Sequence, residues 1–368
     1  MKRSLWAALA CALALAMVLS ACAPAAAPAE PTQEATTPFK VAFVYIGPPG
    51  DMGWTYEHDR GRKMLEAELG DKVETTTVEN VPEGPDATRV IRDLAQKGYN
   101  MIFTTSFGYM DPTVEVAQEF PDVYFEHCSG YKQADNLSTY FGQIEIPRYL
   151  SGMVAGKVTK SNIIGYVAAM QIPECIRGCN AFTLGVKAVN PDAEVRVVWT
   201  NTWYDPVVER EAAIGLLDQG ADIIAQHQDT TEPQKAAAER GALSISYDSQ
   251  MSSFVGDTVL TGPVWNWGAY YIDTVRAAMN DTWKTHATYG SMKDGIVGLA
   301  PFSDKVPQDV RDLVQAAQDK IYSGSWDVFW GPIKDQQGNV KIADGQKMTD
   351  DEILNMDWFV EGVVGSAS

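Results

Sequence analysis

The residues best equipped to hold a small molecule sit just past short β-branched runs. After Lys40–Ile46 the chain reads Gly47-Pro48-Pro49-Gly50-Asp51-Met52-Gly53-Trp54-Thr55-Tyr56, a glycine-rich turn that delivers a large aromatic at the start of a helical stretch. Trp54 is either a platform on which a flat ligand stacks or a core residue packing its helix to a sheet. A bulky indole directly after a mobile turn is better placed to stack than to fill. After Met101–Thr105 come Ser106, Phe107, Gly108, Tyr109, Met110 and Asp111. Phe107 and Tyr109 are expected to reach the same crevice, whereas Asp111 serves equally well as a helix cap. The second half repeats the habit with Gln171 and Glu174, then Asn201, Trp203, Tyr204 and Asp205, then Asp229, Asp248, Gln250, Trp265, Asn266 and Trp267. Taken singly, each has an ordinary explanation as a cap or a buried ring. Their recurrence in both halves points to a planar, uncharged ligand, because ring faces grip a ring while Asp, Asn and Gln read its donors and acceptors.

Motifs for other chemistry are missing. The first loop lacks the G-x-G-x-x-G spacing of a dinucleotide site, and the chain contains no G-x-x-x-x-G-K-[ST] loop, no H-E-x-x-H and no G-x-S-x-G. His58, His127, His227 and His286 are scattered and read as satisfied or solvated imidazoles rather than bases. No cofactor and no metal are therefore expected.

The elements that must position these residues alternate strand and helix from Phe39 onward, the pattern of parallel sheets with crossover helices. Strands are predicted at Lys40–Ile46, Val73–Glu79, Met101–Thr105, Val123–His127 and Ser138–Ile144, with helices at Thr55–Leu69, Asp86–Lys97 and Asp111–Glu119. A second set has strands at Ile163–Ala168, Glu194–Thr200, Ile223–Gln226, Ser244–Tyr247 and Thr258–Leu260, and helices at Pro173–Val189, Pro206–Gln219 and Thr231–Arg240. Two α/β lobes in tandem follow, 39–150 and 151–266, with crossings at Gln143–Ser151 and Gly262–Trp267, and 267–368 returning to complete both. Late helices are expected at Trp267–Thr282, Gln308–Tyr322 and Asp350–Asn355. In open parallel sheets a ligand crevice forms outside the carboxyl ends of the strands, where the residues above fall.

The amino end has its own layout. Lys2 and Arg3 precede an apolar run from Leu5 to Leu19, as in a secretory leader over 1–21. Leu19-Ser20-Ala21-Cys22 resembles the lipobox of bacterial lipoproteins, which would make Cys22 the lipidated mature N-terminus; the other reading is an uncleaved anchor, since the run is near the shortest that spans a bilayer. Residues 22–38, rich in Ala, Pro, Thr and Glu, read as a flexible tether. Formal net charge is −19, and loss of Lys2 and Arg3 with the leader takes it to −21. Such an acidic surface repels phosphate backbones, so nucleic acid is not an expected partner. Of the five cysteines, Cys128, Cys175 and Cys179 remain after the leader and Cys22; Cys175 and Cys179 share a helix face and are either bridged or free.

At Gly50–Gly61 the sequence begins to resemble the basic membrane protein family of ABC-transporter substrate-binding lipoproteins, which includes purine-nucleoside receptors. The resemblance continues through Thr105–Pro112, Ile172-Pro173-Glu174, Trp203-Tyr204-Asp205-Pro206, Asp248-Ser249-Gln250, Val264–Gly268 and Lys293-Asp294-Gly295. It implies a type I periplasmic-binding-protein fold, two Rossmann-like lobes joined by three crossovers, with a purine held between aromatic rings. It also implies ABC permease subunits as partners and a lipid anchor on the extracytoplasmic face of the membrane. By position Trp54 matches the family's stacking aromatic, Asp248 a polar contact of the second lobe and Lys293 a lysine associated with ribose, with Trp203 and Phe107 matching more loosely. Trp54 stands where many nucleoside-binding members have phenylalanine, a variant resembling a branch linked to free bases. A nucleoside-processing enzyme and a surface receptor that senses through the same cleft are the alternatives.

Overall fold

The computed structural model describes Thr37–Ala367; the leader, Cys22 and nearly all of the tether lie outside the described residues. In the first lobe β1 (Phe39–Val44), β2 (Val73–Val78), β3 (Met101–Thr104), β4 (Tyr124–Cys128) and β5 (Leu137–Gly142) alternate with α1 (Trp54–Leu69), α2 (Pro85–Gln96) and α3 (Met110–Glu119). Their apolar side chains leave little to face water. β1 reads Val-Ala-Phe-Val over its buried stretch and β5 is buried throughout, as expected of parallel strands covered on both faces.

The chain then enters a second lobe through α4 (Glu145–Val158), followed by β6 (Ile163–Ala168), α5 (Pro173–Val189), β7 (Glu194–Trp199), α6 (Pro206–Asp218), β8 (Ile223–His227), α7 (Glu232–Glu239), β9 (Leu243–Ile245), the short α8 (Ser252–Val255) and β10 (Val259–Thr261). The crossing is shorter than expected. It is confined to Gln143 and Ile144, because α4 begins at Glu145 and packs Ile146, Tyr149 and Leu150 into the second lobe's core. Gly152 and Gly185 let α4 and α5 meet backbone to backbone: a Cβ at either would lie 2.0 Å from a carbonyl oxygen of the facing helix.

From β11 (Pro263–Trp265) the chain returns to the first lobe as α9 (Trp267–Met279) and β12 (Ala287–Gly290), which pairs with β5. It crosses a third time in β13 (Val297–Leu299), antiparallel to β11. Thereafter α10 (Gln308–Tyr322), the hairpin β14 (Ile333–Lys334) and β15 (Val340–Ile342), α11 (Asp350–Leu354) and β16 (Val363–Val364) build on the second lobe, β16 extending its sheet beside β7.

The two sheets run β2-β1-β3-β4-β5-β12 and β16-β7-β6-β8-β9-β10, each parallel throughout. Strand order therefore reverses between β1 and β3 in one lobe and between β6 and β8 in the other. These are the switch points where loops diverge and leave a crevice. Cys128, Cys175 and Cys179 are buried free thiols, and burial pushes all three up in pKa, so none is poised to react.

Candidate functional site

The loops beyond both switch points face one another. Ile46 and Trp54 follow β1, Ser106 and Phe107 follow β3 and Ser129 follows β4; opposite them stand Glu174 after β6, Trp203 after β7, His227 and Asp229 at and beyond the end of β8, and Tyr247 after β9. Together they line a pocket between the lobes of about 320 Å³, part of it open to solvent.

The lobes are closed over it. A Cβ at Gly53 would lie 2.1 Å from the Asp229 carbonyl oxygen, so the first lobe's turn touches the second lobe's backbone. The Ser249 hydroxyl donates to the Met52 carbonyl across the same boundary. Met52, Ser129 and Asp248 hold left-handed backbone with φ of 66°, 64° and 68°. Such conformations cost energy in non-glycine residues and collect where a loop is held for a purpose.

On the first lobe the turn is fixed by Asp51, whose carboxylate accepts from the N–H groups of Gly53, Thr55 and Tyr56 at 2.8–2.9 Å and so caps α1. Burial raises the Asp51 carboxyl to about 6 against those three bonds, which pull the other way. Trp54 is then locked. Its Nε1 donates to the Thr105 carbonyl at 2.6 Å, and its ring meets Trp265, Trp267 and His58 edge to face. The loop carrying Phe107 is clasped by Glu83, which accepts from the Ser106 hydroxyl at 2.6 Å and the Gly108 N–H at 2.9 Å.

The second lobe's wall is ionisable. His227 shares a 3.4 Å contact with Glu174, and burial, with the nearby Arg148 charge, lowers its pKa to about 4, leaving a neutral imidazole. Arg148 is buried with its guanidinium 3.7 Å over the Tyr247 ring. Asp229 and Asp248 are buried carboxyls pushed well above the usual range, first by burial; next comes Asp248's charge for Asp229, while Arg148 partly offsets the rise for Asp248. One oxygen of each has no partner, and neither does the Tyr247 hydroxyl.

Of the residues singled out in the sequence, Trp54, Phe107, Glu174 and Trp203 line the cavity together. Asp248 and Trp265 lie one layer behind: Trp265 is fully buried, donates to Asp248 at 2.9 Å and stacks on Trp267 at 4.5 Å. Tyr109 does not reach the crevice. It is fully buried in the core between β1, β3 and α2, its hydroxyl spent on the Val81 carbonyl, because the turn at Phe107–Tyr109 rotates successive side chains to opposite sides. Lys293 is also elsewhere: its ammonium donates to the Tyr322 carbonyl and lies over the Tyr322 ring, on the surface away from the cavity. The pocket also takes Ile46, Ser106, Ser129, His227, Asp229 and Tyr247, of which Ser106 and Asp229 stand among the strand-end residues of the sequence and the others do not. All lie at or just past strand ends; Tyr247 is masked when its strand is carried to 247 instead of ending at Ile245, whereas His227 directly follows the expected strand end at Gln226.

Among the described residues no helix is long and apolar enough to cross a membrane. The model for PnrA-like ABC transporter substrate-binding proteins, Bmp, matches residues 39–328. A purine-binding protein of Brucella abortus is 49% identical over 324 residues, 88% of this chain and 92% of its own. A putative ABC transporter glucose-binding protein of Haloferax volcanii is 39% identical over 326 residues, 88% of this chain and 80% of its own. Among solved structures, a solute-binding protein from Aeropyrum pernix superimposes with a TM-score of 0.70 at 19% identity, covering 88% of this chain and 100% of its own, which shows a shared fold. Match, topology and interlobe cavity agree, and the chain belongs to the Bmp family of PnrA-like ABC transporter substrate-binding proteins.

Proposed function

We propose that this substrate-binding protein carries a purine, as a free base or nucleoside, to an ABC permease from a lipid anchor at Cys22 on the extracytoplasmic face. The observation that supports the ligand class is the set of aromatic side chains that both lobes bring to one pocket, Trp54 and Phe107 from one, Trp203 and Tyr247 from the other. A flat heteroaromatic ring held among them would gain stacking on its faces while carboxyl and hydroxyl groups meet its edge. Trp54, Phe107, Glu174, Trp203, Asp229 and Tyr247 make the contacts; Asp248 and Trp265 support them from behind. The purine-binding relative supports the same assignment. The family is one of substrate-binding proteins, which supports release of the ligand unchanged when the lobes part.

Binding then works by closure. The ligand docks on the fixed indole of the first lobe, and the second lobe's groups add affinity only when the lobes meet, so the ligand shifts the population toward the closed form. A thermal-shift screen of purine bases, nucleosides, glucose and amino acids tests the class, since a tight ligand raises apparent stability by mass action. A shift with adenine or a purine nucleoside and none with glucose is expected; a shift with glucose alone overturns the assignment in favour of the sugar named for the Haloferax relative. Mass spectrometry of the mature protein is expected to find a diacylated Cys22 at its N-terminus, and an intact Met1 overturns the anchor.

A further inference from the structure

Five carboxylates converge on the cleft. Asp51 approaches from the first lobe, and Glu174, Glu209, Asp229 and Asp248 stand on the second, all buried. Four of them have partners. Asp51 accepts three backbone N–H groups; Glu209 accepts the N–H of Asp205 at 3.0 Å and the Thr230 hydroxyl at 2.6 Å; Glu174 meets His227; and Asp248 takes the Trp265 N–H, with the Arg148 charge acting on it. Asp229 differs. It lines the cavity, is 5% exposed, has one carboxyl oxygen without a hydrogen-bond partner and forms no ion pair among the described residues.

The charges that act most strongly on Asp229 are those of other carboxylates. Ionised, it would pay for desolvation with no cation to compensate, whereas the protonated acid is neutral and gains a donor. On the rest of this wall, Tyr247 offers a hydroxyl and His227 a neutral imidazole, Arg177 stands further back near Glu174, and Tyr204 lies close to Asp51, Glu209 and Asp229. Burial first, then the charges of Asp248, Asp51, Glu209 and Glu174, raise the Asp229 carboxyl well above its ordinary range. In this closed form the Gly53 turn packs on the Asp229 backbone, and parting of the lobes would separate Asp51 from the cluster.

Building on the purine assignment, we propose that Asp229 is the specificity-determining residue of the second lobe, taking up a proton as the lobes close and donating it in a hydrogen bond to an unprotonated ring nitrogen of the ligand. The proton comes from solvent and returns to it on opening, so no bond other than O–H is made or broken. Capture is thereby linked to pH. A group that binds a proton more tightly in the complex than in the free protein makes affinity highest below its free-state pKa and lowers it as pH rises, by about tenfold per unit until the complex's own pKa is reached.

Calorimetry of adenine binding to the full protein at pH 6 to 9, repeated in buffers of different ionisation enthalpy, reads both affinity and protons. Wild-type protein is expected to take up close to one proton per adenine at pH 8 and to bind at least tenfold more weakly at pH 9 than at pH 6. Asp229→Asn, which carries a fixed donor, is expected to bind adenine with a flattened pH profile and no proton uptake. Adenine binding without proton uptake in the wild type overturns the proposal and leaves the purine assignment standing, as does uptake that persists in Asp229→Asn, which would place the proton on Asp51 or Glu209. Wild-type protein that binds no purine at any pH overturns both.

Discussion

The two walls of the cleft are built from different chemistry. The first lobe offers Ile46, Trp54, Ser106, Phe107 and Ser129, none of them ionisable; the second offers Glu174, His227, Asp229 and Tyr247, all of them ionisable, with Trp203. The supporting cores differ in the same sense. Behind the first wall an aromatic belt of Phe43, Phe103, Tyr140, Tyr271, Trp265 and Trp267 runs back to β1 and β3, whereas the second lobe's core is mostly aliphatic. A neutral wall braced by rings is ready to stack a ligand before the lobes meet. A polar wall gains its full strength only when water has left, because an unscreened hydrogen bond is worth more in a dry site. Under the proposed function, the division would give docking to the first lobe and discrimination to the second.

The largest effect should come from preventing the walls from meeting. Gly53→Ala places a methyl carbon 2.1 Å from a backbone oxygen of Asp229, which cannot rotate away. The closed state is then denied while each lobe folds normally, so affinity should fall by roughly a hundredfold or more with the unliganded melting temperature nearly unchanged. Calorimetry with thermal melts checks both, and wild-type affinity in this variant would show that binding does not need the contact.

The next effects separate the walls. Trp54→Ala and Trp203→Ala should each weaken binding about tenfold, the usual scale of a lost stacking partner. Only the first should also cost stability, by about 3 kcal/mol or more, because Trp54 is 8% exposed and wedged among Trp265, Trp267 and His58, whereas Trp203 is half-buried. Equal melting temperatures for the two variants would deny that the first wall is the braced one.

How far the sequence showed this difference depends on the element. Loops after β1 and β3 were legible because Gly, Pro and aromatic residues punctuate them, and α5 because Pro173 opens a long helical stretch. By contrast α4 passed as a crossing segment: twelve of its fourteen residues are buried, so it has no polar face to set a period, and Pro147 lies in its first turn. The hairpin β14–β15 and β16 are two or three residues long, too short to show alternation. Lys293 and Tyr109 stood at suitable places along the chain, but direction is set by local turns and by nearer partners, Tyr322 and Val81, that no pattern of spacing reveals. The first five strands of each lobe share one order without a sequence repeat, so the equivalence of their switch points emerges only from the sheets.

The smallest effect lies at the rim, where the walls touch outside the cavity. Tyr56 on α1 and Phe254 on α8 meet edge to face, with ring centres 5.6 Å apart at 86°, in a groove shared with Val264 and Leu299. Neither lines the ligand cavity, and Phe254 is 42% exposed even in the closed form. The pair can form only when the lobes meet, so whatever it contributes belongs to the closed state alone. An exposed aromatic pair sits near the low end of about 0.5–1.5 kcal/mol, which predicts that Phe254→Ala weakens binding by about two- to fourfold. Because the contact forms after docking on the first lobe, the change should fall on koff and leave kon alone. Tyr56→Ala should do the same, and the double variant should lose no more than either single one, since each removes the same contact. Stopped-flow release of the ligand reads this directly: an unchanged koff in Phe254→Ala would remove the rim from the closing mechanism and leave the two walls alone to hold the lobes together.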